Sequence, residues 1–144
     1  MPAGKFSLHL TSDQPILGSV FSQTTAQGKS DFIWSTSAPD LQEFTLATNG
    51  LAPNLVFTGK EIKISLDLLS SSGKIKRVEI RGEDITSYSV PVSTRSVTFK
   101  KVSKGTSGAA LISSKSGSGY MPLAPGSVLT KSSIPSSNIS VLNP

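Results

Sequence analysis

Apolar and polar residues alternate with a period of two along most of the chain, the spacing that puts apolar side chains on one face of an extended strand. Glu61-Ile62-Lys63-Ile64-Ser65-Leu66-Asp67-Leu68 is the cleanest case, with four aliphatics set against four polar groups. Lys5-Phe6-Ser7-Leu8-His9-Leu10-Thr11 follows the same rule, as do Tyr88-Ser89-Val90-Pro91-Val92 and Val97-Thr98-Phe99. Asp31-Phe32-Ile33-Trp34 and Glu43-Phe44-Thr45-Leu46 are shorter versions, and Phe32 and Trp34 read together as core positions. Residues 74–81 change parity between Ile75 and Val78, which predicts either a β-bulge or a strand beginning at Arg77.

Turn formers separate these runs. Asn49-Gly50, Ser72-Gly73, Gly82-Glu83-Asp84, Gly105-Thr106-Ser107-Gly108, Gly117-Ser118-Gly119 and Pro125-Gly126 supply residues that tolerate turn conformations. Pro91 inside a strand pattern predicts an edge strand or a break. Helical periodicity is poor, and Pro39 to Ala47 holds at most one turn. The stretch from Ser113 to Pro144 keeps enough apolar residues to read as folded. The pattern predicts one all-β domain over residues 1–144, an antiparallel, jelly-roll-like β-sandwich of about eight to ten strands with little or no helix. Two packed sheets are favoured over a closed barrel.

Composition narrows the chemistry. Charged residues are only 16% of the chain, and 27 serines and 12 threonines take up the polar positions. With no cysteine and one histidine, disulfide scaffolds, zinc ribbons, cysteine nucleophiles and paired-histidine metal sites are excluded. No apolar run approaches the roughly 18 residues of a membrane-spanning helix. Met1-Pro2-Ala3-Gly4-Lys5 is followed by no apolar secretory segment, so folding in a cytosol is expected. Asn138-Ile139-Ser140 is then read as a chance sequon. Net charge is +5, split as −2 over residues 1–72 and +7 over residues 73–144. Such asymmetry fits either a face turned toward an acidic partner or a solvated basic face.

Catalytic patterns are missing. His9 sits on the polar side of Phe6, Leu8 and Leu10 and reads as a surface residue. No nucleophile elbow or phosphate loop occurs. Glu83-Asp84 is the adjacent acidic pair and reads as charged turn residues, while Glu61, Asp67 and Glu79 fall on polar strand faces. The expectation is a protein that is not an enzyme and has no cofactor or metal. Lys74, Lys76, Arg77 and Arg81 on one strand and Lys100, Lys101 and Lys104 after another could form a basic stripe that tracks phosphates. A single-strand binder also needs aromatic rings on that face, and here Phe99 alternates away from Lys100.

Gly119-Tyr120-Met121-Pro122-Leu123-Ala124-Pro125-Gly126-Ser127-Val128-Leu129, followed by Ser133 to Val141, resembles the C-terminal hairpin of small β-sandwich proteins in bacteriophage virions. Those are capsid decoration, penton and head-fibre proteins, and the likeness covers the last third of the chain. In such a hairpin Tyr120 and Leu123 would cap the end of the sandwich. The resemblance implies a non-enzymatic structural protein that decorates or cements a capsid lattice and is made in the host cytoplasm. Its implied partners are the major capsid protein or other virion proteins, with further copies of itself in a homo-oligomer and no membrane. Arg77, Arg81, Lys100, Lys101, Lys104 and Tyr120 are the expected contact residues. Two alternatives stand beside it. One is a carbohydrate or receptor-binding module of a tail or fibre, stacking sugars on Trp34, Tyr88 or Tyr120. The other is a single-stranded nucleic-acid-binding β-barrel.

Overall fold

The longest alternating run forms the strand around which the molecule is built. A computed structural model describes residues 8–16, 18–26, 29–114 and 117–125. They form eight strands and no helix: β1 (Ser19–Ala26), β2 (Lys29–Thr36), β3 (Thr45–Ala47), β4 (Asn54–Ser70), β5 (Ile75–Ser89), β6 (Thr94–Val102), β7 (Ser107–Ser114) and β8 (Gly117–Pro122). All pairings are antiparallel. β1 and β2 make a two-stranded ribbon, and the other six strands make one sheet that curls into a half-barrel, a sandwich-like all-β fold.

β4 is 17 residues long and pairs with β5 along nearly its whole length. On its other edge it changes partner, pairing with β7 through residues 54–58 and with β6 through residues 64–70. A register shift accompanies the change. Gly59 pairs with Asp84 and Ile62 with Gly82, so Lys60 and Glu61 together oppose Glu83. This bulge resets the inward parity from Leu55 and Phe57 to Ile62, Ile64, Leu66 and Leu68, all of which are buried. Without it, one half of the strand would present its aliphatics to water.

Between the two partners, the free edge of β4 would leave backbone groups unsatisfied. The loop after β6 seals the gap. The Ser103 hydroxyl donates to the Glu61 carbonyl at 2.8 Å and accepts from the Lys63 N–H at 2.9 Å, while the Ser103 N–H donates to the Lys63 carbonyl at 2.9 Å. Ser103 Oγ also lies 2.8 Å from Thr106 Oγ1. A hydroxyl has one proton, and that of Ser103 is committed to Glu61, so fully buried Thr106 donates in this last bond. The loop comes so close that a Cβ on Gly59 would stand 3.0 Å from the Gly105 carbonyl oxygen. Leu41, also buried, donates its N–H to the Thr106 carbonyl at 2.7 Å and closes the same seam from the β2–β3 connection.

Phe99 is the hub of the core. It stacks on Phe44 at 4.8 Å and meets the edge of Phe57 at 6.3 Å, linking β6 to both the β3 side and the first half of β4. Two further bulges in β6 make this position compatible with its neighbours. Ser65 pairs with Lys101 and Leu66 with Phe99, so Lys100 is an extra residue, and Arg95 is another. Phe99 therefore points inward while Lys100 and Lys101 both stay exposed.

Several expectations are corrected, while the break at Pro91 and two of the turns hold. The strand over 5–11 is not found where it can be seen: residues 8–11 lie outside strands, with Leu8 and Leu10 exposed, and residues 5–7 lie outside the described residues. Residues 75–81 form one unbulged run of β5, and the parity change means that Ile75 faces solvent. Gly82-Glu83-Asp84 is no turn but the β5 side of the bulge opposite Lys60 and Glu61, with Asp84 at φ 57°. Pro91 breaks its strand: β5 ends at Ser89, and the Thr94 N–H donates to the Pro91 carbonyl across a turn. The turns at Asn49-Gly50 and Ser72-Gly73 form as expected, with Asn49 and both glycines at positive φ. Leu123 is fully buried, whereas Gly126 and everything after it, including the Ser133–Val141 strand and Asn138, lie outside the described residues.

Two substitutions separate hub from seam. Phe99→Ala is expected to lower unfolding free energy by about 3–5 kcal/mol in urea denaturation, because a ring is deleted at the junction of three strands. Ser103→Ala is expected to lower it by about 1–3 kcal/mol, because the Glu61 carbonyl loses its donor.

Candidate interaction surfaces

The register of β5, β4 and β6 fixes one broad outer face. Residues that pair across it share a side, which places Arg81 beside Lys63, Glu79 beside Ser65 and Arg77 beside Asp67 on one edge of β4. On the other edge Lys101 lies beside Ser65 and Thr98 beside Asp67. Thr45 of β3 extends this face through a 3.0 Å contact between its hydroxyl and that of Thr98.

Four of the six expected contact residues, Arg77, Arg81, Lys100 and Lys101, thus belong to this face. They do not form the uninterrupted stripe that side-by-side basic strands would give, because β4 runs between β5 and β6 and brings acids with it. Arg77 grips Asp67 through two parallel bonds, Nε to Oδ1 at 2.8 Å and Nη2 to Oδ2 at 3.0 Å. Lys63 pairs with Glu61. Arg81, Lys100 and Lys101 make no ion pair among the described residues and are exposed. Lys104 stands in the exposed turn after β6, next to the seam.

The charges shape one another. Hydrogen bonds from Arg77 hold the Asp67 carboxyl below the ordinary aspartate range, with Lys100 adding attraction, and Asp67 in turn raises Arg77. The Lys63 ammonium, by hydrogen bond and charge, lowers Glu61.

Tyr120 is elsewhere. It is half-buried on β8, where its hydroxyl donates to the Thr36 carbonyl at 2.6 Å and ties the sheet to the end of the ribbon. Burial pushes its phenol above the usual range. Tyr88, a stacking candidate by sequence, packs half-buried against the core, and its phenol is likewise raised by burial.

The ribbon overturns the core reading of Phe32 and Trp34. Phe21, Phe32 and Trp34 are 51%, 63% and 59% exposed, so the three rings stand on the outer side of the ribbon. Phe21 pairs directly with Trp34, ring centroids 5.2 Å apart, and lies 6.0 Å from Phe32 on the diagonal. Phe21 was invisible in the sequence because Val20 precedes it and hides the alternation.

Among the described residues, no group of His, Cys, Asp and Glu could hold a metal ion, and no helix is long and apolar enough to cross a membrane. His9 is exposed. A depression beside the bulge is lined by Glu61, Ile62, Lys63, Arg81, Gly82 and Glu83 and is open to solvent. Its ion pair therefore stays hydrated, a poor setting for shifting a carboxylate toward acid–base work. Compared with known protein families, curated proteins and solved structures, the chain matches none.

The Asp67–Arg77 pair gives the outer face a pH dependence of known sign. A carboxyl with a lowered native pKa contributes stability that is complete above its unfolded value and is lost as pH falls through the native one. Asp67→Asn should therefore be less stable than the parent at neutral pH and converge with it in acid. Urea midpoints measured from neutral pH downward check this, and a constant gap at every pH would contradict it.

Proposed function

We propose that the chain is a non-enzymatic structural protein of a virion, most simply a bacteriophage, which decorates or cements the capsid lattice as a minor capsid component. The observation that carries this reading is the outer face of β5, β4 and β6, where Arg81, Lys100 and Lys101 stand exposed and lack ion pairs among the described residues. The outer face of the curled sheet, with a basic excess and exposed hydrogen-bonding groups, suits docking onto an acidic protein shell, and it offers no enclosed site for a substrate. Many weak contacts made together on a lattice suffice for tight attachment. The sequence likeness of residues 119–129 and 133–141 to the C-terminal hairpin of small phage virion proteins adds support. On this reading the partner is the major capsid protein or another virion protein, and the protein reaches the virion from the host cytoplasm.

A second reading, a carbohydrate or receptor-binding module of a tail or fibre, draws on the exposed rings of Phe21, Phe32 and Trp34. Single-stranded nucleic-acid binding has less support, because Phe99 is buried under Lys100 and the exposed rings belong to the ribbon.

Co-sedimentation with shells that lack the protein tests the first reading. Binding is expected at low salt, weaker at moderate salt, and at least tenfold weaker for Arg81→Glu combined with Lys101→Glu. No co-sedimentation at either salt concentration would refute it.

A further inference from the structure

The β1–β2 ribbon is amphipathic in the unexpected direction. Its inner side presents Val20, Ser22, Ile33 and Ser35, all half-buried, while its outer side carries Phe21, Phe32 and Trp34. A one-residue slip would exchange the two sides and bury the larger rings. If burial within one molecule decided the matter, the rings would be inside. The ribbon instead turns its most hydrophobic side chains toward water, an arrangement that is stable where something else covers them.

The chemistry of the face says what kind of surface would cover it. Around the rings, the described outer residues are Ser19, Gln23, Ser30 and Thr36, so aromatic groups are surrounded by hydroxyl and amide groups without a charge. This is the make-up of a protein–protein interface, with an aromatic centre and a polar rim. At about 150–250 Å² per aromatic side chain, the exposed parts of the three rings amount to roughly 300–400 Å². That is close to half of the roughly 800 Å² that each partner contributes to a stable interface. The rings are also inclined, Phe21 by 30° to Phe32 and by 57° to Trp34. They make a ridged surface that interdigitates with other side chains, not the flat platform on which a sugar chain would lie.

We infer that this face binds a second copy of the chain, ribbon against ribbon about a two-fold axis. An uncharged apolar face selects a mate of the same character, and another copy supplies one of matching size and shape. Among the described residues on the outer side of the ribbon none is charged, so like charges there do not oppose this contact. The inference rests on the structural-protein reading, in which many copies act side by side. The two are separable by salt: shell docking through Arg81 and Lys101 weakens as salt rises, whereas an uncharged aromatic interface holds or tightens.

Trp34 is the chain's one tryptophan and reports directly on the contact. Sedimentation velocity of the full chain over a wide concentration range, at low and moderate salt, should show the mass doubling at both. Over the same range acrylamide quenching of Trp34 should fall at least twofold. Phe32→Ser should remain monomeric with Trp34 quenched freely throughout. Gln23→Lys, which adds a cation at an exposed position beside Phe32, should do the same, and it leaves every apolar contact of the fold in place. A monomer at all concentrations would overturn the inference. So would a dimer indifferent to both substitutions, or Trp34 protection that arises only when oligosaccharides or shells are added.

Discussion

A long strand in a curled sheet faces a geometric conflict. Side chains alternate strictly, while the surface they must cover bends and the neighbouring strand changes. β4 resolves the conflict at Gly59–Ile62, where one extra residue switches its inward parity and its outer edge passes from β7 to β6. The passage leaves peptide groups without a strand partner, and Ser103, backed by Thr106, takes their place. Everything else hangs on this junction: the stack of Phe44 on Phe99 and the edge of Phe57 against it can form only if both halves of β4 turn their apolar side to the same interior.

The same junction arranges the surface. Because β4 lies between β5 and β6, its Asp67 and Glu61 neutralise cations that would otherwise form a stripe. The bulge at Lys100 then pushes two successive lysines outward. The outcome is a mixed face with a small basic excess, suited to the proposed docking on an acidic shell and poorly suited to tracking a polyphosphate backbone. The ribbon contributes a second face of opposite character, aromatic and uncharged, held to the sheet in part by the bond from Tyr120 to Thr36. Two chemically distinct faces on one molecule fit the proposed role as a structural protein placed between neighbours.

How much of this was legible in the sequence depends on the kind of signal. Ile62, Ile64, Leu66 and Leu68 alternate without interruption, and their strand and the face they share follow directly. Leu55 and Phe57 are buried with opposite parity, and apolar Val56 between them hides the alternation, so nothing in the sequence joins them to the same strand. β7 was hidden because Ala109-Ala110-Leu111-Ile112 is a continuous apolar run, and Gly108 at its start reads as a turn. For Phe32 and Trp34 the alternation was right and the side was wrong: period two says that residues share a face, never which face meets water. Ser103 gave no signal, since one serine among many carries none until the gap in the β4 edge is known. Arg77, Arg81, Lys100 and Lys101 stand out in the sequence as a basic set, yet the intervening strand that supplies Asp67 emerges only from the strand order.

Residue-resolved amide hydrogen exchange tests the central claim most directly. If the Ser103 seam makes one cooperative unit of the two halves of β4, then amides of residues 54–58 that bond to β7 and those of residues 64–69 that bond to β6 should exchange with the same, global opening free energy. Both groups should lose protection together in Ser103→Ala. Rapid, independent exchange of residues 54–58 while residues 64–69 stay protected would contradict the account.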